Sequence, residues 1–507
     1  MRLKDVFDGV SFTTDECWKD IEDFQIKDIA YNSNRCKEGY IFVAIRGETV
    51  DGHDYVRQAY ENGARIFVVN RDILLPEDAI KIFVEDSRKT LSRISANFFD
   101  HPSKELSIVG ITGTKGKTTI SNYLKSVLEN AGFNAGVIGT NGIFYNGVEE
   151  ITYNTTPESY ELQKTLRNML DNGVQYVSME VSSSGLMMNR VADIDFDLGI
   201  FSNISHDHIG PREHPTFEHY LKSKAKLFKL AKYGIVNMDD KFAHEVIDEA
   251  ECPIDTFSIL EDSDFQARDI RLSDSIDYLG SDFICKTRTG DFKCSICSPG
   301  VFSVYNALAV IAACKYLEID EQVILDTLKC VKVNGRVEVL PVLDYASVIL
   351  DYAHNGVSLQ NILGTLKEYN PNRLICLIGS IGKRAKLRRK ELGDIAAQNC
   401  DICVLTSDNP DSENPMDIID EMAESFTNSN CQVIKEPDRE KAINIAIQMA
   451  EKGDIILLAG KGHEEYQLIN GKRIKFSDRD AALEAAKRIV VHRKLEGVKL
   501  KNYKDIV

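Results

Sequence analysis

No run of about 18 apolar residues occurs in this 507-residue chain, which excludes a transmembrane helix. The opening residues, Met1-Arg2-Leu3-Lys4-Asp5-Val6, form no apolar signal core, so a cytoplasmic location is expected. Positive charge is in deficit: 61 Lys and Arg stand against 78 Asp and Glu, a net charge of −17. Such a chain is a poor partner for nucleic acid or an anionic membrane, although a local basic pocket for a small anion stays open. No short-period repeat and no low-complexity tract interrupts it. With 43% hydrophobic and 27% charged residues, it has the composition of a folded globular protein. Its 12 cysteines are expected to stay reduced. Two CxxC pairs, Cys294–Cys297 and Cys400–Cys403, lie about a hundred residues apart, and Cys403 falls inside an apolar run. Ordinary buried or surface thiols are therefore expected, not a zinc or redox site.

At about 150 residues per domain, the length suggests about three domains. The pattern divides likewise, at 1–105, 106–333 and 334–507. The first region holds short strand-like runs, Tyr40 to Ile45 and Ala64 to Val69, with a helical stretch between them. The second opens with a buried strand, Leu106 to Ile111, followed by a Gly-rich turn and a helix from Thr118 to about Ala131. Further runs at Val174–Met179 and Asp197–Phe201 make βαβ units and a mostly parallel sheet, an α/β class. The stretch from about 255 to 300 is polar and strand-like, as an antiparallel insertion would be. The third region repeats the strand–helix alternation at Val348–Leu350, Leu374–Ile378, Ile402–Leu405 and Ile455–Leu458, as a Rossmann-like domain does.

The best local signal is Thr112-Gly113-Thr114-Lys115-Gly116-Lys117-Thr118-Thr119, directly after a strand and before a helix. Glycines let backbone N–H groups approach phosphate oxygens, and the helix N-terminus adds partial positive charge. Lys117 suits the β- and γ-phosphates, and the Thr118 hydroxyl suits Mg²⁺. Strict spacing wants glycine at 111, where the chain has Ile111.

This loop resembles the ATP loop of the Mur ligases, the enzymes that build the peptide stem of peptidoglycan. Other motifs in the same order extend the resemblance over nearly the whole chain. They are Asn154-Thr155-Thr156-Pro157-Glu158, Glu180-Val181-Ser182-Ser183, Asn189-Arg190-Val191 and Asn203-Ile204-Ser205-His206-Asp207-His208 in the second region. Gly335-Arg336-Val337-Glu338, Asp351-Tyr352-Ala353-His354, Asp408-Asn409-Pro410 and Gly460-Lys461-Gly462-His463-Glu464 follow in the third. They are similar to the branch that adds the third stem residue. Glu213 to Tyr220 resembles its L-lysine-adding members.

The resemblance implies a UDP-sugar domain, a central ATPase domain and a C-terminal amino-acid domain. It implies ligation of a free diamino acid to UDP-N-acetylmuramoyl-L-alanyl-D-glutamate, with ATP cleaved to ADP and phosphate. A monomer is expected, although the sequence does not reveal the oligomeric state. A carboxylate is a poor electrophile, so phosphorylation to an acyl phosphate would precede attack by the amine. Gathering three anionic groups requires metal and cationic donors. By the resemblance, Thr118, Glu180 and His208 are Mg²⁺ ligands. Chemistry alone favours a hydrogen-bonding role for His208, since Mg²⁺ prefers oxygen. Lys224 matches a CO₂-modified (carbamylated) lysine, although Lys222, Lys224 and Lys226 in isolation read as a solvated helix face. Gly113, Thr114, Lys115, Gly116, Lys117, Thr118 and Thr119 match the phosphate side of the ATP site. Asn306, Arg336, Asp351 and His354 match its adenosine side. Ser33, Thr155, Thr156, Ser182 and Arg190 match positions that hold the UDP-substrate, with Asn32 where an acidic residue is usual.

Two departures bear on substrate choice. Ser184 stands where many members have histidine. Asp411 stands where diaminopimelate-adding members have an arginine that grips the distal carboxylate. A carboxylate attracts an ammonium, so Asp408, Asp411 and Glu464, with Asn409 and Gly460, are expected to form an acidic pocket for L-lysine. Meso-diaminopimelate and ornithine remain alternatives. So does a related amide ligase of the folylpolyglutamate or cyanophycin type, although the Asp51-Gly52-His53 turn of the first region speaks for a UDP-sugar domain.

Overall fold

The computed structural model describes residues 1–47, 50–206, 209–210, 213–273, 279–383 and 386–495, with 490–495 by backbone alone. His208 lies outside the described residues. The chain folds as two compact units. One comprises Met1–Gln266 with Leu308–Ile324, the other Ala267–Ala307 with the chain from Leu325 on.

The first unit contains two sheets. The smaller runs in the order Thr13–Thr14, Ile80–Phe83, Ile66–Val69, Tyr40–Val43, Asp28–Ala30, with only the Thr13–Thr14 edge antiparallel. In the larger, Ile254–Ser258, Ala231–Asn237, Phe196–Phe201, Ser107–Thr112, Tyr176–Glu180 and Ala135–Gly139 lie parallel in that order. Gly142–Tyr145 and Val148–Glu150 extend it antiparallel. Helices cover a parallel sheet, so its strands are apolar throughout: Ile108, Val109, Ile111, Ile200 and Phe201 are all buried. Helix Lys117–Asn130 buries Ile120, Tyr123, Leu124, Val127 and Leu128, a stripe at helical spacing.

The antiparallel reading of 255–300 holds for the hairpin Ser281–Thr287 with Gly290–Ile296, which belongs to the second unit. Ile254–Ser258 instead continues the parallel sheet, because helix Ala243–Asp248 carries the chain across from Ala231–Asn237.

Polar contacts tie the smaller sheet's layer to the central one. The Tyr160 hydroxyl donates to Asp28 (2.6 Å), Arg88 to Glu158 (3.1 Å), and Arg93 pairs with Asp193 (2.7 Å).

The second unit is built on a sheet in the order Glu338–Leu340, Ser347–Asp351, Ile455–Ala459, Leu374–Ile378, Ile402–Leu405, Gln432–Lys435, parallel except at its first edge. Cys376, Cys400, Cys403 and Cys431 share one apolar core on this sheet. All 12 cysteines are free. Among the described residues, no group of three or more His, Cys, Asp or Glu could hold a metal. No helix of the described residues is long and apolar enough to cross a membrane.

One ion pair pins this unit's loops. Arg439 and Asp478 are fully buried, joined by two hydrogen bonds of 2.7 and 2.6 Å. Arg439 also donates to the carbonyls of Ser407 (3.2 Å), in the loop after strand Ile402–Leu405, and Ala459 (2.9 Å), the last residue of strand Ile455–Ala459. Removing one partner strands the other charge, so Asp478→Asn should cost about 3–5 kcal/mol, read as a lower urea midpoint.

Candidate active site

The phosphate-loop signal is a real loop between strand Ser107–Thr112 and helix Lys117–Asn130. Gly113 and Gly116 have φ of 151° and 89°, and a Cβ on Gly113 would lie 2.0 Å from Ser202 Oγ. Both positions therefore need glycine. Asn203 braces the loop: its carbonyl accepts from Thr114 N (2.8 Å) and its Oδ1 from Lys115 N (2.9 Å). The Lys117 ammonium donates to the carbonyls of Gly113 (2.7 Å) and Thr114 (3.2 Å), so it lies over the loop where phosphates would bind. Thr119 is half-buried on the first helical turn.

Glu180 ends strand Tyr176–Glu180 and is 1% exposed. Its carboxylate accepts from the hydroxyls of Thr118 (3.0 Å) and Thr140 (3.1 Å) and from Thr140 N (3.0 Å). The Thr140 hydroxyl meets that of Thr155 at 3.0 Å. Thr118, Thr140, Thr155 and Glu180 thus converge as hard oxygen donors, a set suited to Mg²⁺. Thr140 was not singled out from the sequence, because only tertiary packing brings it 40 residues along the chain to Glu180.

Lys224, on helix Phe217–Ala225, is 1% exposed. Its ammonium donates to Gly113 O (2.8 Å) and lies over the Tyr220 ring, whose hydroxyl meets Thr114 Oγ1 at 3.0 Å. Lys222, by contrast, is exposed and paired with Glu218. The lysine run is therefore not a uniformly solvated face. His214, also unmarked by sequence reasoning, links Ser183 Oγ (2.9 Å) to His219 Nδ1 (2.9 Å).

The residues matched to the UDP-substrate have local partners. Thr156 is fully buried; it donates to Glu180 O (3.0 Å) and accepts from Ser182 N (2.9 Å). Ser182 caps helix Ser183–Met187 by accepting from Gly185 N. Arg190 fork-binds Glu158 at 2.9 Å and donates to Thr156 O (3.1 Å). Ser33 is buried and donates to Gln58 (2.7 Å).

In the second unit, the Arg336 guanidinium stacks on Tyr352, 4.7 Å from the ring centroid, and Asp351 accepts from Val337 N (2.8 Å). His354 Nδ1 donates to Tyr352 O (2.8 Å). Asn306 lies buried on helix Val301–Tyr316. A cleft of about 370 Å³ is lined by Tyr352, His354, Asp408, Asn409, Gly460 and Glu464, among others. Burial and Glu464 push the Tyr352 hydroxyl up to about 12.

The single acidic pocket expected from Asp408, Asp411 and Glu464 is not what forms. Asp411 lines a different cleft, of about 570 Å³, with Glu413 and Asn414. Its carboxylate accepts from Gly471 N (2.8 Å) and pairs with Lys383 (3.2 Å), which together hold it below the usual carboxylate range. Lys383 lies 28 residues upstream, so this neutralising contact forms only in the fold.

The chain matches the Mur ligase family catalytic domain at 25–99, the Mur ligase middle domain at 111–314 and the Mur ligase glutamate ligase domain at 335–462. It is 38% identical to a UDP-N-acetylmuramoyl-L-alanyl-D-glutamate–2,6-diaminopimelate ligase of Clostridium perfringens, over 96% of this chain and 99% of that one. The chain belongs to the Mur ligase family. A second relative of the same description, from Caldanaerobacter subterraneus, is 38% identical over 96% and 98% of the two chains. A solved structure of such a diaminopimelate ligase is 27% identical, with a TM-score of 0.70 over 97% and 99%. As a Mur ligase, the protein is an ATP-dependent amide ligase with the three-part α/β fold of that family. These relatives are diaminopimelate ligases, so the nearer likeness to lysine-adding members read from Glu213 to Tyr220 is not what the comparisons favour.

One histidine in this Mur ligase supplies a pH test. Burial and the nearby Arg336 push His463 from an ordinary 6.5 down to about 4. Between those values the unfolded chain binds a proton that the folded chain refuses. Stability should therefore fall as pH drops from 6.5 towards 4, by at most about 1.4 kcal/mol per pH unit from this group. His463→Gln should flatten that part of the slope in urea titrations across this range.

Proposed function

We propose that this Mur ligase joins a diamino acid to UDP-N-acetylmuramoyl-L-alanyl-D-glutamate in the cytoplasm, as a monomeric step of peptidoglycan synthesis. The observation that carries the reading is similarity along the whole chain to ligases of that description, together with a phosphate loop, an oxygen cluster and an amino-acid cleft in a single chain. In this reading, 1–105 holds the UDP-sugar, 106–333 cleaves ATP and 334–507 delivers the amino acid.

The substrate carboxylate attacks the γ-phosphorus, the bond to the ADP oxygen breaks, and an acyl phosphate forms. The amine then attacks the acyl carbon, phosphate leaves, and the amine's proton is lost. Lys117 and the backbone N–H groups of residues 113–119 hold the phosphates. Thr118 and Glu180 would hold Mg²⁺, with Lys224 and His208 as further ligands by family resemblance. When bound, the metal offsets charge on the transferring phosphoryl group. Ser33, Thr155, Thr156, Ser182 and Arg190 hold the nucleotide substrate. Asn306, Arg336, Asp351 and His354 take the adenosine side, and the Arg336–Tyr352 stack offers a flat platform for a base.

Lys224 carries a carbamate in this reading, formed when its neutral amine adds CO₂ and releases a proton. Its near-complete burial beside Gly113 supports a role other than solvation. With ¹³C-bicarbonate, the wild type should show a carbamate carbon resonance that Lys224→Arg lacks, and that variant should lose most turnover. A missing resonance in active wild type refutes the modification.

The relatives' substrate makes 2,6-diaminopimelate the first candidate amine. One observation favours a second reading, L-lysine: Asp411 in place of a carboxylate-binding arginine. The exposed Lys383 beside Asp411 supplies a cation for the first reading. Phosphate release should require ATP, Mg²⁺, the nucleotide dipeptide and a diamino acid together. If diaminopimelate is the substrate, Lys383→Ala should lower its kcat/KM about tenfold. Turnover with L-lysine alone establishes the second reading. Turnover with none of diaminopimelate, L-lysine and L-ornithine overturns the proposed function.

A further inference from the structure

Beneath the cleft assigned to the amino acid lies a cation that no part of the reaction above uses. Lys461 is fully buried and contributes nothing to the cleft's lining. The chain turns at Gly460 and Gly462, with φ of 107° and 52°, and the lysine side chain is enclosed between those turns and the neighbouring loops. Its ammonium donates to Glu464 Oε2 (2.8 Å) and to Asn409 Oδ1 (3.2 Å), and lies 3.6 Å from Asp408 Oδ1. These three acceptors all line the cleft. An ammonium has three donor hydrogens, and three acceptors surround this one.

The surrounding bonds fix the same groups from other sides. Asn409 Nδ2 donates to Glu464 Oε2 (3.2 Å), and Leu468 N donates to Asn409 Oδ1 (2.9 Å). The Tyr352 hydroxyl donates to Glu464 Oε1 (3.4 Å). Two carboxylates sharing one cleft repel. Lys461 sets a cation between Asp408 and Glu464, which offsets that repulsion and fixes both side chains where they line the cleft, alongside Arg388. Two carboxylates held in place present acceptors to an amine.

We infer that Lys461 is a positioning residue: it holds Asp408 and Glu464 aimed at an amine of the incoming amino acid. The inference rests on the proposed function, because it takes this cleft as the amino-acid site. It acts on amino-acid binding and not on ATP cleavage.

The test compares wild type, Lys461→Met and Lys461→Arg in steady-state assays with ATP, the nucleotide dipeptide and whichever diamino acid supports turnover. The expected result for Lys461→Met is a KM for the amino acid raised about tenfold or more, with the KM values for ATP and the nucleotide dipeptide within about twofold of wild type. Lys461→Arg, which keeps the charge, should recover part of the loss. A purely structural lysine would raise all three KM values together or leave them all unchanged, and either result overturns the inference. If Lys461→Met does not fold, Lys461→Gln replaces it, and an amino-acid KM unshifted relative to that for ATP overturns the inference. The wild type separates the two claims. Absence of turnover with every diamino acid refutes the proposed function and this inference with it. An active wild type with unshifted variants refutes only the role of Lys461.

Discussion

The first unit's site depends on satisfying a buried carboxylate. Glu180 sits at the end of a central strand with almost no exposure, where a polar group is costly unless it is well hydrogen-bonded. Three donors from Thr118 and Thr140 meet that need. The same contacts tie the first turn of the phosphate-loop helix to the end of strand Ala135–Gly139. Space is equally constrained: a Cβ on Gly139 would come within 2.2 Å of Glu180 Oε1. A small residue, two threonines and one carboxylate therefore form a single arrangement, and none can change without disturbing the others.

The second unit meets a similar demand with cations. Arg439 anchors two loops through their carbonyls, and Lys461 lies against three polar side chains that those loops present. One secures backbone and the other side chains. An acidic protein thus keeps a carboxylate-lined cleft ordered by enclosing positive charge beneath it.

Much of the fold was legible because parallel strands are buried on both faces and read as unbroken apolar runs, as Leu374–Ile378 and Ile455–Ala459 do. Helix Lys117–Asn130 was legible from its position after the glycine turn and its buried stripe. Hidden from sequence were groups whose meaning depends on distant partners. Thr140 matters because of Glu180, Arg439 because of Asp478, and Lys461 because of Asn409. Asp411 shows the same limit: its formal charge was visible, but Lys383 beside it was not. Lys222 and Lys224 look alike in the chain, and only packing separates an exposed ion pair from a buried amine.

The distribution of thiols makes the molecule a gauge of its own integrity. Cys17 and Cys330 are exposed, and Cys252 and Cys297 partly so, while the others are buried. Burial raises the thiols of Cys36, Cys294 and Cys431 to about 12, so they hold almost no thiolate at neutral pH. An alkylating reagent consequently labels the intact chain sparingly. Extra label marks the opening of a specific core: at Cys36 that of the first unit's smaller sheet, at Cys376 or Cys403 that of the second unit's main sheet.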